Sequence, residues 1–350
     1  MEAHYSRYLL NFKQPSGTSR GVLTEKETWF ITIRDEARYG IGECGLLRGL
    51  SIDDRPDYEN QLKWVCKNIH LGLNTLRDAL VDFPSIQFGL EQAFLSIAAH
   101  TPFELFSSAF TTSAAAIPIN GLIWMGEESF MLDQIEQRLA QGFRCIKMKI
   151  GAIDVAAELK LLKIIREQFS EKELVLRVDA NGAFSPSAAM EVFKKLAELR
   201  IHSIEQPIAT RQWKAMRELC SKSPVAIALD EELIGINTSK ERIGLLHDLR
   251  PQYIILKPSL LGGFDACKTW ITIAEELGIG WWVTSALESN IGLNAIAQWT
   301  YTLDNTIPQG LGTGSLFTNN FKSPLAVENG NLYYRKHLSW QQDIIPQLCT

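Results

Sequence analysis

Paired cysteines, apolar runs of membrane length and an excess of basic charge are all missing from this sequence. Its six cysteines, Cys44, Cys66, Cys145, Cys220, Cys267 and Cys349, are scattered with no C-x-x-C pair. That pattern argues against a disulfide framework or a zinc site and for free thiols in a reducing cytosol. No apolar run approaches the roughly 20 residues of a membrane span, and Met1-Glu2-Ala3-His4-Tyr5 carries no basic-then-apolar signal region. The expectation is a cytoplasmic protein with no membrane partner. Lys and Arg, 35 in all, are outnumbered by 40 Asp and Glu and are spread along the chain, so no nucleic-acid partner is expected either.

What is present, from residue 116 onward, is a repeat. Short apolar strands are expected at 117–119, 145–150, 174–179, 203–205, 226–230, 253–257, 281–284 and 307–310. They recur about every 25–30 residues, the length of a β-loop-α unit. Between them, 155–169, 186–199, 239–249 and 264–277 carry apolar residues at helical spacing. Eight such strands imply a closed barrel. An open doubly wound sheet is the alternative, but no G-x-G-x-x-G follows an early strand of the repeat, which leaves a dinucleotide fold with little support. Residues 1–112 lack the repeat: 28–33 reads as a strand, Gly40-Ile41-Gly42-Glu43-Cys44-Gly45 as a glycine-rich turn, and 58–80 and 85–100 as helices. Segments 15–20 and 46–54 read as mobile loops or plain surface connections. The expected division is an α+β lobe at 1–112, a barrel at 116–320 and a tail at 321–350 that returns to the lobe.

The stretch Arg177-Val178-Asp179-Ala180-Asn181-Gly182 ends one barrel strand, and Ser185-Pro186 behind it reads as a helix cap and first helical position. Strand alternation puts Arg177 and Asp179 on one face, with Asn181 just beyond. Barrel enzymes hold their chemistry at the carboxyl ends of the strands. There the sequence offers Lys147 and Lys149, then Asp179, Glu205, Asp230 with Glu231, and Lys257. One acid at such a place is ordinarily a cap or a surface charge; charged residues from five consecutive strands at the same end are not. With strands about 4.7–4.9 Å apart, Asp179, Glu205 and Asp230 can converge on one hard cation, magnesium by preference and manganese as well. Strands two and six lie opposite in a ring of eight, so Lys149 and Lys257 are expected to face each other across the mouth. A lysine is a base only when neutral, and Lys147 on the same face together with a cation would lower the Lys149 pKa. Lys147 has a plainer alternative, neutralising a neighbouring carboxylate. Arg177 and Asn181 read equally as supporting groups and as substrate contacts. After strands seven and eight, Ser285, Gly312 and Thr313 lie in stretches whose backbone N–H groups suit an anion, or in simple tight turns. Glu288 is placed to orient Lys257.

The ordered motifs Lys147-Met148-Lys149, Asp179-Ala180-Asn181-Gly182, Ile204-Glu205-Gln206-Pro207, Leu229-Asp230-Glu231-Glu232 and Leu256-Lys257-Pro258 resemble those of the enolase superfamily, muconate-lactonising subgroup, over nearly the whole chain. The resemblance implies an α/β fold, a modified TIM barrel of (β/α)7β type with an α+β capping domain completed by the C-terminal tail. It also implies magnesium on Asp179, Glu205 and Asp230 and catalytic lysines at Lys149 and Lys257, in keeping with the Lys base and magnesium general to such sites. Within the subgroup the sequence is most similar to the o-succinylbenzoate synthase branch of menaquinone biosynthesis. The pointers are Ser285-Ala286-Leu287-Glu288-Ser289, Gly310-Leu311-Gly312-Thr313-Gly314 and Thr18-Ser19-Arg20-Gly21, which add Arg20 to the substrate-binding candidates. Dipeptide epimerases place an Asp-x-Asp pair after strand eight; here that region reads Gly312-Thr313-Gly314-Ser315-Leu316, which disfavours a dipeptide. The implied partner is a small-molecule carboxylate, dehydrated by a carbon–oxygen lyase. N-acylamino acid racemisation, a muconate-type cycloisomerisation and a non-catalytic scaffold are the alternatives, and the resemblance leaves room for a homo-oligomer.

Overall fold

The computed structural model of the chain describes residues 1–18, 21–113, 115–124, 126–151 and 154–348. Its N-terminal lobe is an antiparallel sheet of β1 (Glu2–Thr18), β2 (Gly21–Asp35) and β3 (Arg38–Cys44), in that order. Alternate β2 residues Trp29, Ile31 and Ile33 bury against Leu62, Leu76 and Leu90 of the helices Tyr58–Lys67, Gly72–Ala79 and Pro84–Ala98. Each such aliphatic side chain contributes about 1.5–3 kcal/mol on full burial. The glycine motif proves to be part of β3 rather than a turn. Gly40 and Gly42 share the face on which helix Pro84–Ala98 lies; a Cβ on Gly42 would stand 1.9 Å from the Gly89 carbonyl oxygen, and one on Gly40 2.3 Å from that of Ala93.

Two more expectations for this lobe need correction. The helix at 58–80 breaks at a 3-10 turn, Ile69–Leu71, after which Gly72 takes φ 78°. The loop at 15–20 is partly regular, since Ser16, Gly17 and Thr18 pair with Leu23, Val22 and Gly21; Ser19 and Arg20 lie outside the described residues.

The first barrel strand is displaced from its expected place. β4 (Ala116–Pro118) stands outside the barrel, and the barrel begins with β5 (Gly121–Ile123). Pro118 has no N–H to donate, which suits an edge position and not a central parallel ladder. Six further parallel strands follow in sequence order: β6 (Cys145–Lys149), β7 (Val175–Asp179), β8 (Ser203–Glu205), β9 (Ala226–Leu229), β10 (Tyr253–Leu256) and β11 (Gly280–Val283). Helices link successive strands, and the cap expected at Ser185 is present, its hydroxyl accepting from Ala188 N at 3.3 Å with Pro186 next. The expected eighth strand at 307–310 is reduced to bridges, Thr284 with Gly310 on one side and Ile119 with Gln309 on the other. These bridges join the two edges of the curled sheet, giving the modified (β/α)7β barrel.

The chain ends in the hairpin β12 (Leu325–Glu328) and β13 (Asn331–Tyr334), whose second strand pairs with β4. Ile344 and Leu348 of the last helix then bury with Phe30 and Ile41 of the N-terminal sheet. Among the described residues no helix is long and apolar enough to cross a membrane.

Candidate active site

Period-two alternation and parallel register assemble the charged residues in rows. Lys149, Asp179 and Glu205 are register partners across β6, β7 and β8, and Glu205 in turn pairs with Ala228 of β9. Asp230 lies two residues beyond Ala228, on the same inward face. One layer lower, Lys147, Arg177 and Ser203 form a second row. Lys257 follows the end of β10 and caps the short helix Pro258–Leu261. Two of the turns that leave these strands are backbone outliers: Asn181 has φ 43° and Gln206 φ 37°, the left-handed region that asparagine tolerates better than most residues.

The polar heads interlock. Lys147 Nζ donates to Asp179 Oδ2 at 3.1 Å and Glu205 Oε2 at 2.8 Å, so the plainer reading of Lys147 describes its contacts. Lys149 Nζ donates to Asp179 Oδ2 at 3.0 Å and to Asn181 Oδ1 at 2.6 Å, while Asn181 Nδ2 donates to Glu231 Oε1 at 2.9 Å. Lys257 pairs with Asp230. Burial penalises the charge on Asp179, yet Lys147 and Lys149 overcome it and hold its carboxyl well below the usual range. Glu205 goes the other way: burial and the neighbouring Asp179 push its carboxyl up. Burial alone would lower the Lys147 and Lys257 ammonium groups, but the surrounding carboxylates raise both.

Glu205 Oε1 is buried with no hydrogen-bond partner. Among the described residues no three His, Cys, Asp or Glu side chains stand close enough to close around one ion as placed; the lysine heads occupy the space between the carboxylates. The donor set is nonetheless that of a hard divalent cation, carboxylate oxygens from three adjacent strands with one oxygen unsatisfied.

Lys147, Lys149, Asp179, Asn181 and Lys257 open on a cavity of about 770 Å³. Ser285, Gly312 and Thr313 are also in its wall, and Ser285 Oγ lies 2.7 Å from Thr313 Oγ1. Arg177 takes the supporting one of its two alternatives, and Glu288 is elsewhere than expected. Arg177 is in the barrel interior below the cavity, donating to the Pro308 carbonyl at 2.8 Å with its guanidinium 4.0 Å from the Trp282 ring centroid. Glu288 is bonded not to Lys257 but to Ser259 Oγ at 2.5 Å and Ala286 N at 2.7 Å; its position after a turn, with Leu287 at φ 65°, directs it beneath the loop. Arg20 lies outside the described residues. Sequence reading missed the apolar part of the wall, Leu23, Leu47 and Leu50 from the N-terminal lobe and Leu293 and Leu316 from the barrel side. An isolated leucine in a loop carries no chemical signal.

Residues 131–337 match the family described as enolase C-terminal domain-like. The chain is 48% identical to an o-succinylbenzoate synthase of Desulfotalea psychrophila, the match covering 95% of this chain and 98% of that protein. The crystal structure of MenC from Desulfotalea psychrophila superposes with a TM-score of 0.84 at 45% identity, covering 95% of this chain and 99% of that one. An N-succinylamino acid racemase of Thermus thermophilus is 28% identical, over 79% of this chain and 75% of its own length. By its motifs, its barrel and these relatives, the chain belongs to the enolase superfamily.

Proposed function

We propose that the chain catalyses the syn dehydration of a succinyl-hydroxycyclohexadiene carboxylate to o-succinylbenzoate, a step of menaquinone biosynthesis in the cytoplasm. The observation that carries this reading is 48% identity over 95% of the chain to an enzyme of that name, joined to a cavity into which lysines from opposed barrel strands project. In this reading Asp179, Glu205 and Asp230 hold a divalent ion, magnesium or manganese. When bound, the ion supplies positive charge against the substrate carboxylate.

Lys149 removes the proton α to that carboxylate, aimed by its bonds to Asp179 and Asn181. Lys257, on the opposite side, donates to the carboxylate oxygens as negative charge accumulates there. The ring C–O bond on the Lys149 face then breaks, the departing hydroxide takes the proton from Lys149, and water leaves as the ring becomes aromatic. Lys147 keeps the acidic cluster neutralised, and Arg177 supports it from below. Ser285, Gly312, Thr313 and Arg20 are assigned to substrate binding or to its support, and the lobe at 1–112, with the chain's last helix against it, caps the barrel that begins at Gly121. The same two lysines can also exchange an α-proton from either face, and the Thermus thermophilus relative makes N-succinylamino acid racemisation the second reading.

Proton NMR in deuterated water, with magnesium and the diene carboxylate, tests the proposal. Aromatic signals that vanish on chelation are expected. Exchange of the α-proton of N-succinylamino acids without any aromatic product would transfer the assignment to the racemase.

A further inference from the structure

A second set of buried charges lies where the N-terminal lobe meets the barrel, and the chemistry above does not use it. Lys26 of β2 is 3% exposed, and its Nζ has no hydrogen-bond partner. Its electrostatic neighbours are Glu43, the penultimate residue of β3, and Glu288, both fully buried. Glu43 is saturated from both lobes. Its Oε1 accepts from Thr28 Oγ1 at 2.8 Å and Ser289 N at 2.9 Å, and its Oε2 from Ser289 Oγ at 2.5 Å and Gly292 N at 2.9 Å. Glu288 accepts from Ser259 Oγ and Ala286 N.

Every arm of this cluster is a few residues from the cavity. Lys26 lies three residues past Leu23, Glu43 four before Leu47, and Ser259 two past Lys257, all three of those being cavity residues. Between the tethered residues Ala286 and Glu288 sits Leu287, itself in the cavity wall, at φ 65°. A leucine does not hold a left-handed backbone unless its surroundings over-determine it. Gly45 makes the close approach: a Cβ there would stand 3.0 Å from Ser259 Cβ and 3.1 Å from Glu288 Cγ. An apolar seam would hold the lobes together at least as well, because buried ion clusters add little net stability. Their best-attested use is to fix registry.

We propose that Lys26 and Glu43 are positioning residues. With Glu288 they lock the two cavity-lining segments of the N-terminal lobe to the strained loop 285–290 and to the helix that Lys257 caps, and so set the placement of Lys257 against bound substrate. Burial lowers the Lys26 ammonium and the two carboxylates support it; without Lys26 two carboxylates from different lobes are left with dipoles alone, and the loop and the Lys257 turn move apart.

This inference rests on the proposed dehydration for its kinetic test and on hydrogen exchange for an independent one. The full-length magnesium-loaded enzyme is compared with Lys26→Met, Lys26→Arg, Glu43→Gln and, as control, Glu91→Ala, at another buried seam carboxylate, one that bonds the helix Gly263–Glu276 instead. Lys26→Met and Glu43→Gln are expected to lower kcat by about 10- to 100-fold, the scale of a misplacement near 1 Å, with a smaller change in KM. Lys26→Arg should recover most of the loss, and Glu91→Ala, which leaves Phe264 N and Asp265 N without their acceptor, should keep kcat at a comparable loss of Tm. Exchange measured by mass spectrometry should quicken in 45–50, 257–262 and 284–292 for Lys26→Met, and in 263–276 for Glu91→Ala. If kcat merely follows Tm across all four variants, or exchange in those segments is unchanged, the positioning role is overturned. Should Lys26→Met fail to fold, Thr28→Val, which removes one of the four donors to Glu43, carries the same comparison. Absence of diene turnover by the unaltered enzyme would remove the proposed reaction while the exchange data still decide the lock.

Discussion

One cluster of buried carboxylates lies at the lobe seam and another at the strand ends of the barrel, and the contrast between them separates chemistry from scaffolding. At the lobe seam both Glu43 oxygens accept from hydroxyl and backbone N–H groups, and both Glu288 oxygens are bonded as well. At the strand ends of the barrel, Asp179, Glu205 and Asp230 lean on flexible lysine heads, and Glu205 Oε1 has no partner at all. A carboxylate satisfied by fixed dipoles has no capacity left for a ligand. One satisfied by movable ammonium groups, with an oxygen to spare, can exchange partners when an ion or substrate arrives. Burial and charge are shared by the two clusters; a carboxylate oxygen left without a partner, as on Glu205, is not.

The sharpest way to break this comparison is to remove the proposed base from the unsatisfied side. Lys149→Ala is expected to cost at least roughly 10²–10⁴-fold in kcat, the range of a positioned general base, with substrate binding nearly unchanged, because Asp179, Lys257 and the cavity wall remain. Steady-state turnover and calorimetric substrate binding check it; retained turnover would take Lys149 out of the base role. Next in size is Glu205→Gln, which deletes the charge beside the orphaned oxygen. Titration of magnesium alone should show affinity falling by more than the roughly 10- to 100-fold that loss of an outer-layer partner costs. Unchanged ion affinity would make Glu205 a scaffold residue like Glu43 and erase the distinction.

The unsatisfied side was legible in the sequence and the satisfied side was not, for a physical reason. Lys147, Lys149, Asp179, Glu205, Asp230 and Lys257 each sit at the end of an apolar run in a β-loop-α repeat. Period two and the common direction of parallel strands bring them together without further information. Lys26, Glu43 and Glu288 meet only because a three-stranded sheet docks on a barrel, and no local pattern encodes that docking. The misreadings have the same origin. Gly40 and Gly42 look like a turn until helix Pro84–Ala98 is laid on them, and residues 117–119 look like barrel until β13 pairs with β4. Glu288 is close to Lys257 in the barrel's order, yet the strained turn at Leu287 sends it to Ser259 instead.

The smallest of these effects concerns the seam alone. Glu91 reaches from helix Pro84–Ala98 to the N-terminal turn of Gly263–Glu276, accepting from Phe264 N and, at 3.3 Å, Asp265 N. Burial pushes its carboxyl from the ordinary 4.5 to about 7, the two backbone N–H groups offsetting only part of that. Between pH 4.5 and 7 the folded chain therefore holds a proton that the unfolded chain has released, so stability falls as pH rises through this window. The full swing is on the order of 3 kcal/mol at most. Glu91→Gln removes the titration and keeps an acceptor for the helix N-terminus. Chemical denaturation should find that the variant's stability falls less from pH 5 to 8 than that of the unaltered chain, Asp53 and Glu205 still being raised by burial, so that it matches the unaltered chain at pH 5 and equals or exceeds it at pH 8. If the variant is less stable at pH 8 by more than at pH 5, the charged carboxylate is a net gain to the helix N-terminus. The seam would then be built from favourable ion–dipole contacts rather than from buried acids tolerated for the registry they impose.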